Sequence, residues 1–145
     1  MTHMITSRCN GCTACLKLCP VNAITGERRS LHFINTALCI DCSACGRICA
    51  VDAVQDAFQQ PIHHIKRSRW YKPFISQAGC ISCMACLQSC PVNCLDWGTP
   101  DPVNHRVFPV LVRSRLCIAC EFCATACPVE AIEMLVPESQ PIHQE

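Results

Sequence analysis

Sixteen of the seventeen cysteines in this 145-residue chain fall on one repeated grid, and that grid limits what the chain can fold into more than any other feature. The stretch from Cys117 to Pro128, CIACEFCATACP, carries three cysteines at successive two-residue gaps and a fourth after a three-residue gap. The same spacing recurs at Cys9, Cys12, Cys15 and Cys19, at Cys39, Cys42, Cys45 and Cys49, and at Cys80, Cys83, Cys86 and Cys90. The fourth copy is Cys117, Cys120, Cys123 and Cys127. Three copies close with proline (Pro20, Pro91, Pro128), whereas the second has Ala50 in that position.

Two-residue gaps let a tight loop wrap three thiolates around one face of a small inorganic core while its amides point at the sulfurs. A cubane iron–sulfur cluster asks for this arrangement, with the fourth thiolate arriving from elsewhere. Zinc would be satisfied by separated CxxC pairs and leaves the third cysteine and the cysteine–proline step unexplained. Disulfides would suit a secreted chain, but the first residues, MTHMITSRCNGC, hold no apolar run of signal-peptide length, so a reducing cytoplasm is expected. Cys94 stands off the grid, aligned with Ala23, Ala53 and Ala131, and reads as a buried inert thiol, the alternative being a spare ligand or a redox-sensitive one. The six histidines (His3, His32, His63, His64, His105, His143) share no ligand spacing and read as surface residues.

The repeat argues for two halves of about 65 residues, a size at which an apolar core alone is marginal and metal groups serve as staples. Expected boundaries are 1–60 for the first domain, 61–76 for a connecting segment, 77–136 for the second domain and 137–145 for a polar, frayed tail. No segment approaches the roughly 18 consecutive apolar residues of a membrane span. The formal charge is +1 with the cysteines counted neutral. Four oxidised clusters with their thiolates would bring the loaded chain to about −7, so the basic side chains read partly as counter-charge and nucleic-acid binding is disfavoured. No glycine fingerprint for a flavin or nucleotide is present, and no cluster lacks a ligand, so the chain is not expected to be an enzyme in its own right.

Taken in order, the first two runs start 30 residues apart and the last two 37 apart. The short apolar signatures after the fourth cysteines, CPVNAI from Cys19 and CAVDAV from Cys49, are predicted to be short helices entered at Pro20 or its counterpart. Leu31–Ile34 and the run from Val107 to Val112 read as strand segments, and Gly11 as a positive-φ position in the first loop. The connection QQPIHHIKRSRWYKPF is too apolar for a free tether. Its residues are expected to pack on the protein or begin a strand, with the cations in solvent. A second reading makes Trp70, Tyr71, Arg67 and Arg69 a docking patch for a partner subunit. Trp97 and Phe122 are expected to shield clusters from water, and Ala50 to cost some helix pre-organisation while adding one backbone donor near the cluster fed by Cys49.

On these four CxxCxxCxxxC runs, spanning about residues 5–136, the chain resembles the polyferredoxins, tandem bacterial-type 2[4Fe-4S] ferredoxins. The resemblance implies an α+β fold of two tandem ferredoxin-like domains with pseudo-twofold repeats, holding four [4Fe-4S] clusters. It implies that each run's last cysteine serves its partner run. The sets would be Cys9, Cys12, Cys15 with Cys49; Cys39, Cys42, Cys45 with Cys19; Cys80, Cys83, Cys86 with Cys127; and Cys117, Cys120, Cys123 with Cys90. A nested pairing of run one with run four is the alternative. The implied function is a cytoplasmic electron-transfer subunit. It would pass single electrons between a catalytic redox subunit, such as a tungsten- or molybdenum-pterin aldehyde or formate oxidoreductase or a hydrogenase, and an acceptor. A free diffusible ferredoxin is the near alternative, and a zinc-stapled interaction module the alternative from another class.

Overall fold

A computed structural model of the chain describes residues 2–139, and it divides into two compact units, one running up to Ser68 and the other beginning at Arg69. In the first unit the order is β1 (Met4–Ile5), α1 (Ala14–Leu18), β2 (Ile24–Thr25), β3 (Phe33–Ile34), α2 (Ala44–Ile48) and β4 (Val54–Gln55). The second repeats it with β5 (Lys72–Ile75), α3 (Ala85–Ser89), β6 (Leu95–Trp97), β7 (Pro109–Leu111), α4 (Phe122–Ala126) and β8 (Ile132–Leu135). Within each unit the first strand pairs antiparallel with the last, β1 with β4 and β5 with β8. The middle strands form the second pair, β2 with β3 and β6 with β7. Because every sheet among the described residues has two strands, every strand is an edge, which is why Pro73 and Pro109 are tolerated within β5 and β7.

The helices lie one turn earlier than the sequence suggested. Each runs from just before the third cysteine of its grid to just before the fourth, and CPVNAI is a turn followed by a strand. The reason is local: a residue before proline is biased towards extended backbone, and Cys19 has φ −61° and ψ 117°. Pro20 then occupies the second position of a β-turn closed by a hydrogen bond from Asn22 N–H to the Cys19 carbonyl at 3.4 Å. Asp52, Asn93 and Glu130 close the equivalent turns on Cys49, Cys90 and Cys127 at 3.2, 3.4 and 3.4 Å. Ala50 therefore stands in a turn rather than at a helix start.

The residue after each turn joins it to a sheet. The carbonyls of Ala23, Ala53, Cys94 and Ala131 accept from Asn35, Thr6, Val112 and Ser76 across the neighbouring strand pair. All four residues are buried. The helices have five residues each and no side-chain cap, too short to persist alone, so they depend on packing of α1 against α2 and of α3 against α4. The cores they form are built largely from cysteines: Cys15 and Cys45 with Ile24 and Val54 in the first unit, and Cys80, Cys86, Cys117 and Cys123 with Ile75, Leu95 and Phe108 in the second.

Ile62 donates to the Val54 carbonyl and Ile65 to that of Arg47, which folds this segment back over α2. Gly46 permits the approach, since a Cβ there would stand 2.5 Å from that of Ile62. Trp70 is 1% exposed, so it is not a surface aromatic available for docking; Tyr71, Arg67 and Arg69 are exposed. Lys72 does not stay in solvent: its Nζ donates to the carbonyls of Ser114 and Cys117 at 2.8 and 3.0 Å. Trp97, expected to cover a cluster, is 55% exposed. Of the expected tail, Pro137–Ser139 form one 3-10 turn and the rest lies outside the described residues. Among the described residues no helix is long and apolar enough to cross a membrane.

Candidate iron–sulfur sites

Each grid builds its loop from the same backbone signature. The residue two after the first cysteine has positive φ in all four copies: Gly11 at 70°, Asp41 at 55°, Ser82 at 58° and Ala119 at 56°. The residue after the second cysteine is also left-handed (Thr13, Ser43, Met84, Glu121), as is the third after the fourth cysteine (Asn22, Asp52, Asn93, Glu130). The left-handed region costs an L-residue roughly 1 kcal/mol or more, so its recurrence at non-glycine positions marks a loop held by something other than propensity. Only the first loop has glycine at the first of these positions. There a Cβ would collide with the backbone of Ser30, because the Gly11 carbonyl accepts from Arg29 N–H at 2.9 Å.

These turns aim backbone donors at sulfur. The amides of Ala23, Ala53, Cys94 and Ala131 donate to Cys19, Cys49, Cys90 and Cys127 Sγ at 3.3, 3.3, 3.4 and 3.2 Å. Gly11 and Ser82 amides donate to Cys9 and Cys80 Sγ at 3.4 Å. Such bonds stabilise a thiolate over a thiol.

The thiols gather in sets that cross between runs. Cys9, Cys12 and Cys15 line one small apolar cavity together with Cys49. Cys39, Cys42 and Cys45 line another with Cys19, and Cys80, Cys83 and Cys86 a third with Cys127. Cys123 sits among Cys120, Cys117 and Cys90. Burial pushes the thiols up, Cys15 to about 11 and Cys45 and Cys123 to about 12, and it raises Cys39, Cys42 and Cys86 as well. As free thiols these groups hold their protons; a bound cation is what would make them thiolates.

Two histidines read as surface residues are buried instead, and both touch cluster loops. His3 Nδ1 lies 2.9 Å from Asp41 Oδ1 and its Nε2 2.8 Å from Ser43 Oγ, pinning the second loop to the N-terminal segment. His32, with no exposed surface, donates from Nδ1 to the Ser30 carbonyl at 3.0 Å and stands 3.8 Å from Cys9 Sγ. Its Nε2 is buried without a partner in the wall of the first thiol cavity, as suits a wall built to face a non-protein group. Cations brace the loops from behind: Arg47 donates to the Cys42 carbonyl at 2.8 Å and Arg106 to that of Cys80 at 2.6 Å, in addition to Lys72 on Cys117. No spacing rule singles out these histidines, Arg106 or Lys72, which meet their loops through tertiary contact, whereas Arg47 reaches back only five residues from α2.

Four free thiols per set, with at least one buried in each and six of the sixteen sulfurs accepting from backbone amides, define a ferredoxin-type iron–sulfur carrier. Comparison with known families makes this specific: residues 8–54 match one family of 4Fe-4S dicluster domains, and residues 73–134 match a second family of the same description. The chain is a tandem of two 4Fe-4S dicluster ferredoxin domains, with provision for four [4Fe-4S] clusters in a small mixed α and β fold. No curated protein matches it. Among solved structures, a chain of the formate dehydrogenase, heterodisulfide reductase and formylmethanofuran dehydrogenase complex from Methanospirillum hungatei is similar over 93% of this chain, at 18% identity and a TM-score of 0.35. The match covers 56% of that longer chain.

Proposed function

We propose that the chain is the electron-transfer subunit of a larger oxidoreductase complex, passing single electrons along four [4Fe-4S] clusters between a catalytic redox subunit and an acceptor. The observation that carries this reading is the grouping of sixteen thiols so that three from one run meet the last cysteine of its partner run. On this reading Cys9, Cys12, Cys15 and Cys49 hold one cluster, and Cys39, Cys42, Cys45 and Cys19 the next. Cys80, Cys83, Cys86 and Cys127 hold the third, and Cys117, Cys120, Cys123 and Cys90 the fourth. The exchange of a ligand in both directions relates the halves of each domain by a pseudo-twofold.

Bound clusters supply reversible one-electron chemistry. The chain's own residues bind them, exclude water with the apolar walls formed by Ile24, Val54, Ile75 and Leu95, and donate amide hydrogens to the ligand sulfurs. Each set offers four thiols, which leaves no iron open to a substrate and supports a carrier without a catalytic site of its own. The domain bodies would be 1–60 and 77–136 with 137–145 as a tail, and the connecting residues 61–76 would be shared between them, Ile62 and Ile65 on the first and β5 on the second. The catalytic partner would be a tungsten- or molybdenum-pterin aldehyde or formate oxidoreductase or a hydrogenase, in the cytoplasm, met partly through Tyr71, Arg67 and Arg69.

Iron counting on anaerobically prepared double variants tests the ligand sets. With four irons per cluster, Cys83→Ala with Cys127→Ala should leave about twelve of about sixteen, because both residues serve one cluster, whereas Cys120→Ala with Cys127→Ala should leave about eight. The reverse pattern would mean that each run closes its own cluster, and about eight irons in both would mean nested pairing. The wire itself fails if Cys120→Ala, with cluster loss confirmed, leaves electron delivery in the purified complex unchanged.

A further inference from the structure

Cys94 occupies the position that Ala23, Ala53 and Ala131 hold in the other three copies, and its backbone does what theirs does, donating to the preceding grid cysteine and accepting from the neighbouring strand. Its carbonyl takes two such bonds, from Val112 and Arg113, each at 3.1 Å, so the residue is firmly fixed. The side chain is what differs. The residue is 3% exposed, and its sulfur lies 3.5 Å from Cys90 Sγ, with Cys117 beside it. Cys90 and Cys117 belong to one thiol set, the one completed by Cys120 and Cys123. Cys90 and Cys117, as cluster ligands, carry no hydrogen, so in this contact the S–H of Cys94 is the donor.

We infer that Cys94 is a tuning residue: its S–H donates to the Cys90 thiolate, beside Cys117, and raises the reduction potential of the fourth cluster relative to the other three. The inference rests on the ligand set proposed above for that cluster. A hydrogen bond to a ligand sulfur offsets part of the negative charge that reduction adds, so it favours the reduced form. Alanine at the three equivalent positions offers no such donor. Three clusters thus share one inner environment at this position, and the fourth alone is set apart as the site where an electron rests more readily.

The experiment is an anaerobic redox titration followed by electron paramagnetic resonance, on wild type, Cys94→Ala and Cys94→Ser, each with iron and sulfide counted. Cys94→Ala should keep about sixteen irons and lower one midpoint out of four, by about tenfold in the reduction equilibrium, equivalent to about 59 mV for one electron. Cys94→Ser, which keeps a donor, should return that midpoint towards the wild-type value. Infrared spectra of the loaded wild type should contain one S–H stretch that disappears in both variants. Four unchanged midpoints in a fully loaded Cys94→Ala protein overturn the inference and leave the ligand sets standing. Loss of about four irons in Cys94→Ala, or no S–H stretch in the loaded wild type, overturns it by making Cys94 a ligand. A wild type with far fewer than about sixteen irons overturns the ligand sets and the inference together.

Discussion

Left-handed backbone recurs at three fixed points of every grid, and only one of the twelve residues involved is glycine. Thr13 is the least suited, since a β-branched side chain is a marked outlier at φ 68°. Gly11 is there for another reason, the close passage of the Arg29 and Ser30 backbone. The two positions therefore answer oppositely to substitution. Thr13→Gly should stabilise the loaded protein by about 1 kcal/mol, whereas Gly11→Ala should destabilise it by at least about 2 kcal/mol and lower first-cluster occupancy, read by thermal unfolding and iron content. A tolerated Gly11→Ala would mean that the contact with Ser30 is not held in solution. His3 and His32 teach the same lesson at a distance: imidazoles with no ligand spacing are buried because hydrogen bonds to Asp41, Ser43 and Ser30 are available there.

At the scale of elements, the repeated unit is loop, five-residue helix, turn and strand, and the fourth cysteine belongs to the turn. Proline at Pro20, Pro91 and Pro128 presets the second turn position, and Ala50 meets the same geometry without it, Cys49 having φ −77° and ψ 105°. Proline at position 50 should fit this backbone and restrict the unfolded chain. Ala50→Pro is expected to raise stability by about 0.4–1 kcal/mol in anaerobic denaturant unfolding, with all four clusters retained. A destabilised variant would mean that the Ala50 amide has a partner the turn needs. The cations act on elements rather than on substrate: Arg47, Arg106 and Lys72 each tie a loop carbonyl to another part of its own unit.

For the whole molecule, the cores consist of cysteines as much as of aliphatic side chains, and the strands are two to four residues long. Without clusters the left-handed loops keep their strain, and the buried thiols lose the bonds that would hold them together. Anaerobic removal of iron by a chelator should abolish cooperative unfolding and amide-exchange protection in both units. An iron-free protein with native-like protection would show a fold that stands without its cofactor. The sequence by itself determined the cofactor, its number and the tandem plan, because thiolate spacing is dictated by the inorganic core and is local along the chain. It misassigned the short helices to CPVNAI and its counterparts, because an apolar pair after proline suits a turn and strand as well as a helix, and only the closing bond from Asn22 to Cys19 decides. Tertiary structure alone decided which histidines are buried and that the sulfur of Cys94 lies against Cys90 beside Cys117. Those are encounters between residues far apart in the chain, set by strand pairing and packing, which spacing does not encode.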